Sequence, residues 1–190
     1  WREPADVKMA HTIASPLFDP RQRLVLGTSF FNGSLMVQLD AQRPSARLLW
    51  KGDSSSELPA NTDGLHGLMS TPVLHEGYLY GVCSYGHLRC LDPLTGRRIW
   101  DTLAPTGENR WSTAFLIQHK DRFFLFNEHG ELILAKLSPQ GYTELGRMSV
   151  IEPTMKAGRR LVVWSYPAMA DRAMFVRNDK EIVCVDLAAH

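Results

Sequence analysis

Residues 91–100, with the sequence LDPLTGRRIW, read as the end of one β-strand, a tight turn and the start of the next strand. Gly96 follows Thr95 where the chain must reverse, and glycine takes the positive φ of such a turn at little cost. Residues 70–91 precede this run with alternating apolar residues interrupted by glycine-containing turns. Together the two runs predict four short antiparallel strands joined by tight turns.

The same order of strands and turns recurs along the chain. Residues 14–50 repeat it upstream, and Trp50 closes that copy as Trp100 closes the copy described above. Weaker copies follow in residues 111–145 and 161–187. The residues that mark the start of the third strand in successive units are separated by 53, 44 and 50 positions: Gly33, Gly86, Gly130 and Lys180.

Four strands per repeat of this length are typical of a β-propeller blade. A β-sandwich also contains many short strands, but it does not repeat one turn-and-tryptophan pattern at a near-constant interval. We therefore predict an all-β fold of about four propeller blades, each of four antiparallel strands, in one domain over residues 1–190. The blades are expected at residues 12–51, 68–102, 111–149 and 160–187, the last beginning with a strand at residues 161–167.

The composition fits one globular domain and excludes several functions. The 190 residues are 44% hydrophobic and 22% charged, which is sufficient for a packed core. Lys and Arg number 21 against 20 Asp and Glu, so the chain lacks the basic excess that binds nucleic-acid phosphates. No apolar run approaches the roughly 18 residues of a membrane-spanning helix. We therefore expect neither a nucleic-acid partner nor a membrane span.

The run at residues 91–100 resembles the repeat of the pyrroloquinoline-quinone-like β-propeller family, in which apolar-Asp is followed by Thr-Gly and a closing Trp. Residues 39–50 carry a copy without the Thr-Gly, and residues 185–186 retain only its beginning. The family includes quinoprotein alcohol dehydrogenases, an outer-membrane assembly lipoprotein and many extracytoplasmic bacterial proteins. Residues 126–128 and 177–181 look most like the last group, which implies a periplasmic or secreted bacterial protein. Pyrroloquinoline quinone and calcium are implied by this resemblance alone, and the residues themselves give no reason to expect a cofactor.

The resemblance also implies a larger ring, because propellers of this family usually have about eight blades. Trp1 occupies the position of a closing tryptophan, and the last unit shows no fourth strand after residue 187. We expect the exposed sheet edges to be covered by a second copy of the chain or by the missing half of the propeller. The alternative is a closed ring of four blades in which residues 1–10 donate the last strand.

No catalytic motif is evident: the sequence lacks a nucleophile elbow, a phosphate loop, a dinucleotide fingerprint and a His-Glu-x-x-His zinc site. The quinone-dependent enzymes of the resembling family use a Glu-Asn-Asp calcium site and usually a disulfide between adjacent cysteines. The cysteines here are not adjacent; they are Cys83, Cys90 and Cys184. Asn127 and Glu128 are candidates to contribute oxygen ligands to a cation. Asn-Glu-His-Gly is also a good tight-turn sequence, and we favour the turn.

In a propeller, the loops between blades share one face with the turn between the second and third strands of each blade. The loop at residues 51–67 is the longest and most polar of these, and long loops on a rigid scaffold commonly carry function. The candidate binding residues on this face are Asp63, His66, Tyr85, Arg110 and Trp111. Three further residues are expected to pack the blades together: Trp50, Gly96 and Trp100.

These observations favour a non-catalytic propeller that offers a rigid face to a protein, peptide or glycan partner. The alternative is a fragment of a quinone-dependent dehydrogenase whose site needs further blades. A glycan-processing propeller is a third interpretation, but no pair of carboxylates can be assigned at the separation such chemistry needs.

Overall fold

A computed structural model of the chain describes residues 13–188, which form antiparallel β-sheets. Three of these sheets have four strands in chain order, the last has three strands, and a two-stranded hairpin precedes the last sheet. One turn of 3₁₀-helix, Pro59–Asn61, is the single helical segment of the described part of the chain. That part contains no helix with the length and hydropathy needed to cross a membrane. The predictions made for Trp1 and for residues 1–10 lie outside the described residues.

The strands follow the chain without crossovers. The first sheet consists of β1 (Leu17–Asp19), β2 (Leu24–Ser29), β3 (Gly33–Leu39) and β4 (Ala46–Lys51). The second consists of β5 (Val73–His75), β6 (Tyr78–Val82), β7 (Leu88–Leu91) and β8 (Arg98–Thr102). The third consists of β9 (Ala114–His119), β10 (Arg122–Asn127), β11 (Glu131–Ser138) and β12 (Gly141–Ser149). The hairpin is β13 (Met155–Ala157) with β14 (Arg160–Val162), and the last sheet consists of β15 (Ala168–Ala170), β16 (Ala173–Arg177) and β17 (Ile182–Asp186).

The sheets pack face to face in chain order because apolar side chains point to both sides of each central strand. Leu79 and Leu91, which pair across β6 and β7, belong to a buried cluster shared with the first sheet. Tyr80 and Cys90 form the next pair, point the other way and belong to a cluster shared with the third sheet. A further cluster, which includes Met174, joins the third sheet to the last. An apolar core therefore fills each junction between successive sheets.

A tryptophan on the fourth strand of each of the first two sheets reaches across to the following sheet. Trp50 packs against Gly96, and its indole N–H donates to the carbonyl of Pro93 at 2.8 Å. The indole N–H of Trp100 donates to the carbonyl of Ser138, also at 2.8 Å. Each indole docks on the turn between the third and fourth strands of its neighbour. The tryptophan of the repeat is thus an inter-sheet contact.

The prediction of an all-β fold built from antiparallel propeller blades is confirmed, but the last unit differs from the sequence expectation. The prediction of a strand at residues 161–167 is wrong: its first two residues belong to the second strand of the hairpin, and the last sheet begins at Ala168. The cause is hydrogen bonding to the third sheet, because the Val163 N–H donates to the carbonyl of Glu128 at 2.8 Å and the Trp164 indole donates to its carboxylate. This segment therefore bonds to a neighbouring turn instead of to β16.

Candidate functional site

The connections between sheets and the turns between second and third strands lie at the same end of the sheets. We call this end the loop face. It comprises the connections at residues 52–72, 103–113 and 150–167 together with the turns after β2, β6, β10 and β16. The connection at 52–72, between β4 and β5, is the longest of the three.

Arg110 and Trp111 form a cluster with two residues from other parts of the loop face. The guanidinium carbon of Arg110 lies 4.7 Å from the ring centre of Trp111 and 5.7 Å from that of Phe30. Glu57 accepts hydrogen bonds on one carboxylate oxygen from Nε and Nη2 of Arg110, at 2.9 and 2.8 Å. Aromatic faces and a carboxylate therefore fix the orientation of the guanidinium. We call Phe30, Glu57, Arg110 and Trp111 the arginine–tryptophan cluster.

The backbone beneath this cluster is held from two sides. Trp111 adopts a left-handed conformation with φ of 67°, and its N–H donates to the carbonyl of Ser84 at 2.6 Å. Nη2 of Arg160 donates to the carbonyl of Arg110 at 2.8 Å. A bulky residue at positive φ persists only where its surroundings determine its conformation. The indole is therefore presented from a rigid position although 36% of the residue is exposed.

Glu128 anchors the hairpin to the third sheet. Its side chain is fully buried, and its two carboxylate oxygens accept bonds from Nε and Nη2 of Arg160 at 3.0 and 3.1 Å. The Trp164 indole donates to the same carboxylate at 2.9 Å. Asn127 is equally engaged, because its side-chain amide donates to the carbonyl of Pro105 at 2.9 Å.

Asn127 and Glu128 do not fit a calcium site. The guanidinium of Arg160 already binds the Glu128 carboxylate that a metal cation would need. The side-chain oxygen of Asn127 accepts hydrogen bonds from the backbone N–H groups of His129 and Glu131. The Gly130 N–H closes a tight turn on the carbonyl of Asn127 at 3.1 Å. Within residues 13–188, no three His, Cys, Asp or Glu side chains gather as metal ligands would.

A polar cavity of about 580 Å³ lies between the connection at residues 52–72 and strands β7 and β8. The charged and polar side chains that line it are Asn61, Thr62, Asp63, His87, Arg89, Arg98 and Asp101. The Arg89 side chain is 0% exposed and donates through Nη1 to the carbonyl of Gly64 and through Nη2 to Thr62 Oγ1. Its Nε has no hydrogen-bond partner among the described residues.

Two carboxylates contact the cations of this polar cavity. Asp63 Oδ1 lies 3.0 Å from Nη2 of Arg98, although the Asp63 side chain is 78% exposed. Asp101 Oδ2 lies 2.9 Å from Nη1 of Arg98, 3.4 Å from Nδ1 of His87 and 3.8 Å from Nε of Arg89. One oxygen of Asp101 is therefore shared among three nitrogen-bearing side chains.

His66 lies below the surface. Its ring packs over Gly33, its Nδ1 is 3.1 Å from the carbonyl oxygen of Phe30, and burial lowers its pKa. Tyr85 is half-buried in the turn after β6. Of the five binding candidates, the structure thus brings Arg110 and Trp111 together, places Asp63 in the polar cavity, and puts His66 in the packing beneath the loop.

The three cysteines are free thiols. Cys83 and Cys90 are buried, and Cys184 is exposed on β17. Burial raises the pKa of Cys83, and it raises the pKa of Cys90 to about 11. Neither buried thiol is therefore suited to act as a nucleophile.

Sequence reasoning missed Glu57 and Arg89, although one of them carries a visible signal. Arg89 stands in the apolar run Leu88–Leu91, and a charged residue inside a buried strand needs a specific partner. Glu57 carries no local signal, because its contact with Arg110 joins positions 53 residues apart.

No protein-family model matches the sequence, and no curated protein matches it. Solved structures do resemble the fold. BamB from Moraxella catarrhalis aligns with a TM-score of 0.58 at 9% identity, over 90% of this chain and 41% of BamB. The computationally designed Ika4 protein aligns with a TM-score of 0.54 at 11% identity, over 99% of both chains. Quinohemoprotein alcohol dehydrogenase ADHIIG from Pseudomonas putida HK5 aligns with a TM-score of 0.55 at 15% identity, over 93% of this chain and 32% of the enzyme.

The described chain therefore spans less than half the length of BamB and about a third of the dehydrogenase. Identities this low show a shared fold, and the fold is that of β-propeller blades.

Proposed function

We propose that this protein is a non-catalytic β-propeller module that binds a protein or peptide partner through its loop face. The observation that carries the proposal is the arginine–tryptophan cluster, in which an exposed indole and a guanidinium are held on rigid backbone. Trp, Tyr and Arg are enriched among the few residues that carry most of the binding energy at protein interfaces. Rigid anchors also reduce the entropy lost on association.

Other exposed apolar residues extend this surface. Leu58 and Tyr166 lie on the loop face and are 49% and 55% exposed. The Tyr166 ring contacts Phe115 at 4.7 Å between ring centres, so one side of it is packed and the other is open. A partner that covered these residues together with Trp111 would remove several apolar anchors from water at once.

A binding role also agrees with the state of three carboxylates on this face. Glu57, Asp63 and Glu128 are each paired with an arginine. A general base or a metal ligand needs a carboxylate that is free to accept a proton or a cation. The quinone-dependent alternative has no comparable support, since Asn127 and Glu128 do not fit its calcium site.

We further propose that a second copy of the chain covers the outward faces of the first and last sheets. Phe175 and Cys184 pair on the outward face of the last sheet, and both are exposed there together with Ile182, which is 73% exposed. Phe18 and Leu48 are exposed on the first sheet, at 53% and 43%. A two-fold arrangement would pack the last sheet of each copy on the first sheet of the other and bury both faces together. Light scattering on the purified chain should give the mass of a dimer, and a monomer at all concentrations would contradict the pairing.

A periplasmic or secreted location remains a proposal that rests on the family resemblance. Fractionation of the producing cells tests it, because recovery with cytoplasmic markers would contradict the resemblance on this point.

Site-specific crosslinking tests the binding proposal. The photoreactive residue p-benzoyl-phenylalanine replaces Leu58 on the loop face, and in a matched control it replaces Leu94, which is 54% exposed in the turn at the opposite end of the second sheet. We expect a discrete adduct from position 58 in the producing cells and none from position 94. Equal adducts at both positions, or an adduct from position 94 alone, would contradict the proposal.

A further inference from the structure

The polar cavity holds two arginines, Arg89 and Arg98, against one carboxylate of the same sheet, Asp101, whose side chain is 32% exposed. Arg89 is fully buried, and among the described residues its one carboxylate contact within 4 Å is Asp101. The same Asp101 oxygen already lies 2.9 Å from Arg98 and 3.4 Å from His87. A buried guanidinium is costly unless an anion compensates it. Asp101 balances one of the two guanidinium charges, and a second carboxylate at Arg98 balances the other.

Asp63 supplies that charge from a position that it can leave easily. Its carboxylate reaches Arg98 at 3.0 Å, but 78% of its side chain is exposed to water. Exposed ion pairs of this kind contribute only about 0.2–1 kcal/mol. An external carboxylate can therefore displace Asp63 at little cost.

We propose that the polar cavity binds the carboxylate of an acidic side chain from the partner, which replaces Asp63 on Arg98. This deepens the proposed function, and the identity of the partner segment rests on that function. The cavity of about 580 Å³ has room for an aspartate or glutamate side chain with adjoining backbone. The nearby Asp101 carboxylate favours a singly charged ligand over a doubly charged phosphate, because it repels the second charge.

The second ion pair on the same loop supports an acidic ligand. Glu57 and Asp63 both belong to the connection at residues 52–72, and each holds an arginine from a later part of the chain, Arg110 or Arg98. The loop itself thus presents two carboxylates to two arginines, as a bound acidic segment would.

The experiment measures the arginine Nε–Hε signals of the ¹⁵N-labelled full chain by NMR during titration with N-acetyl-glutamate amide. N-acetyl-glutamine amide, which is neutral and of similar shape, is the ligand control. We expect the glutamate derivative to shift the signals of Arg98 and Arg89, and the glutamine derivative to leave them unchanged. Equal shifts from both compounds, or none from either at about 0.1 M, would overturn the proposal.

Variants sharpen the test. Asp63→Asn removes the internal competitor and should tighten binding of the glutamate derivative by up to about fivefold, the equivalent of the exposed ion pair. Asp53→Asn removes an exposed carboxylate of the same loop outside this cavity and should change nothing. Arg98→Gln should abolish binding. Weaker binding by Asp63→Asn, or an equal gain from Asp53→Asn, would contradict the displacement of Asp63.

The two proposals can fail separately. Carboxylate binding to Arg98 without any crosslinked partner at Leu58 would leave the cavity assignment standing and remove the proposed function. A partner that binds Arg98→Gln as tightly as the wild type would leave the proposed function standing and remove the cavity assignment.

Discussion

Replacement of Gly96 by alanine tests the contact between the first and second sheets. A Cβ at this position would lie 2.7 Å from two carbons of the Trp50 ring, and the residue has a φ of 73°. Gly107 is a matched control, because its φ is 74° but a Cβ there would meet nothing within 4 Å. Both substitutions incur the left-handed backbone cost of about 1–2 kcal/mol, partly offset by about 0.4–1 kcal/mol from the restricted unfolded chain. Only Gly96→Ala adds the cost of overpacking, about 1–3 kcal/mol.

The assay is urea unfolding followed by circular dichroism, with thermal melts at the same protein concentration. We expect Gly96→Ala to lose about 1–3 kcal/mol more than Gly107→Ala. For a domain of this size, that difference lowers the Tm by roughly 2–4 °C for each kcal/mol. Equal losses in the two variants would refute the reasoning, because they would show that Trp50 does not press on Gly96. A larger loss in Gly107→Ala would refute it as well.

Three further predictions concern the burial of side chains. Glu128→Ala should lower the free energy of unfolding by about 3 kcal/mol, because it leaves Arg160 without its carboxylate partner. It should also speed hydrogen exchange in the hairpin, and unchanged exchange would show that this ion pair does not anchor the hairpin. Burial lowers the pKa of His66, so its imidazole takes up a proton in the unfolded state at a higher pH than in the folded state. The free energy of unfolding should therefore fall as the pH drops below about 6.5, the pKa of histidine in the unfolded chain. His66→Gln should flatten this pH dependence, and an unaltered slope would assign it to other groups. At dilutions where the chain is a monomer, the exposed thiol of Cys184 should react with a disulfide reagent much faster than the buried Cys83, and equal rates would contradict the described burial.

The fold could be predicted because its determinants are local. A Thr-Gly turn followed by Trp100 defines the boundary between two strands within ten residues, and Trp50 closes the equivalent strand 50 residues earlier. The prediction of a strand at residues 161–167 was wrong because the contacts that decide this segment are not local. Its apolar alternation is local, but its hydrogen bonds go to Glu128, which no pattern near residue 161 reveals.

The candidate site was predictable in part. Arg110 and Trp111 were found because topology puts the loops between sheets at one end, but the partner Glu57 is 53 positions away. His66 was expected on the same face, and the structure turns its ring inward over Gly33. Loop membership therefore predicts which end of the sheets a residue occupies, and it does not predict whether the side chain faces solvent.

Affinity for the crosslinked partner, measured by interferometry with wild type, Trp111→Ala and Leu94→Ala, provides the decisive comparison. Loss of a tryptophan anchor at an interface costs at least about 2 kcal/mol, so Trp111→Ala should bind roughly 30-fold more weakly or worse. Leu94→Ala removes a similarly exposed apolar side chain from the opposite end and should bind as the wild type does. Equal affinities for Trp111→Ala and wild type, or a loss confined to Leu94→Ala, would contradict binding through the loop face.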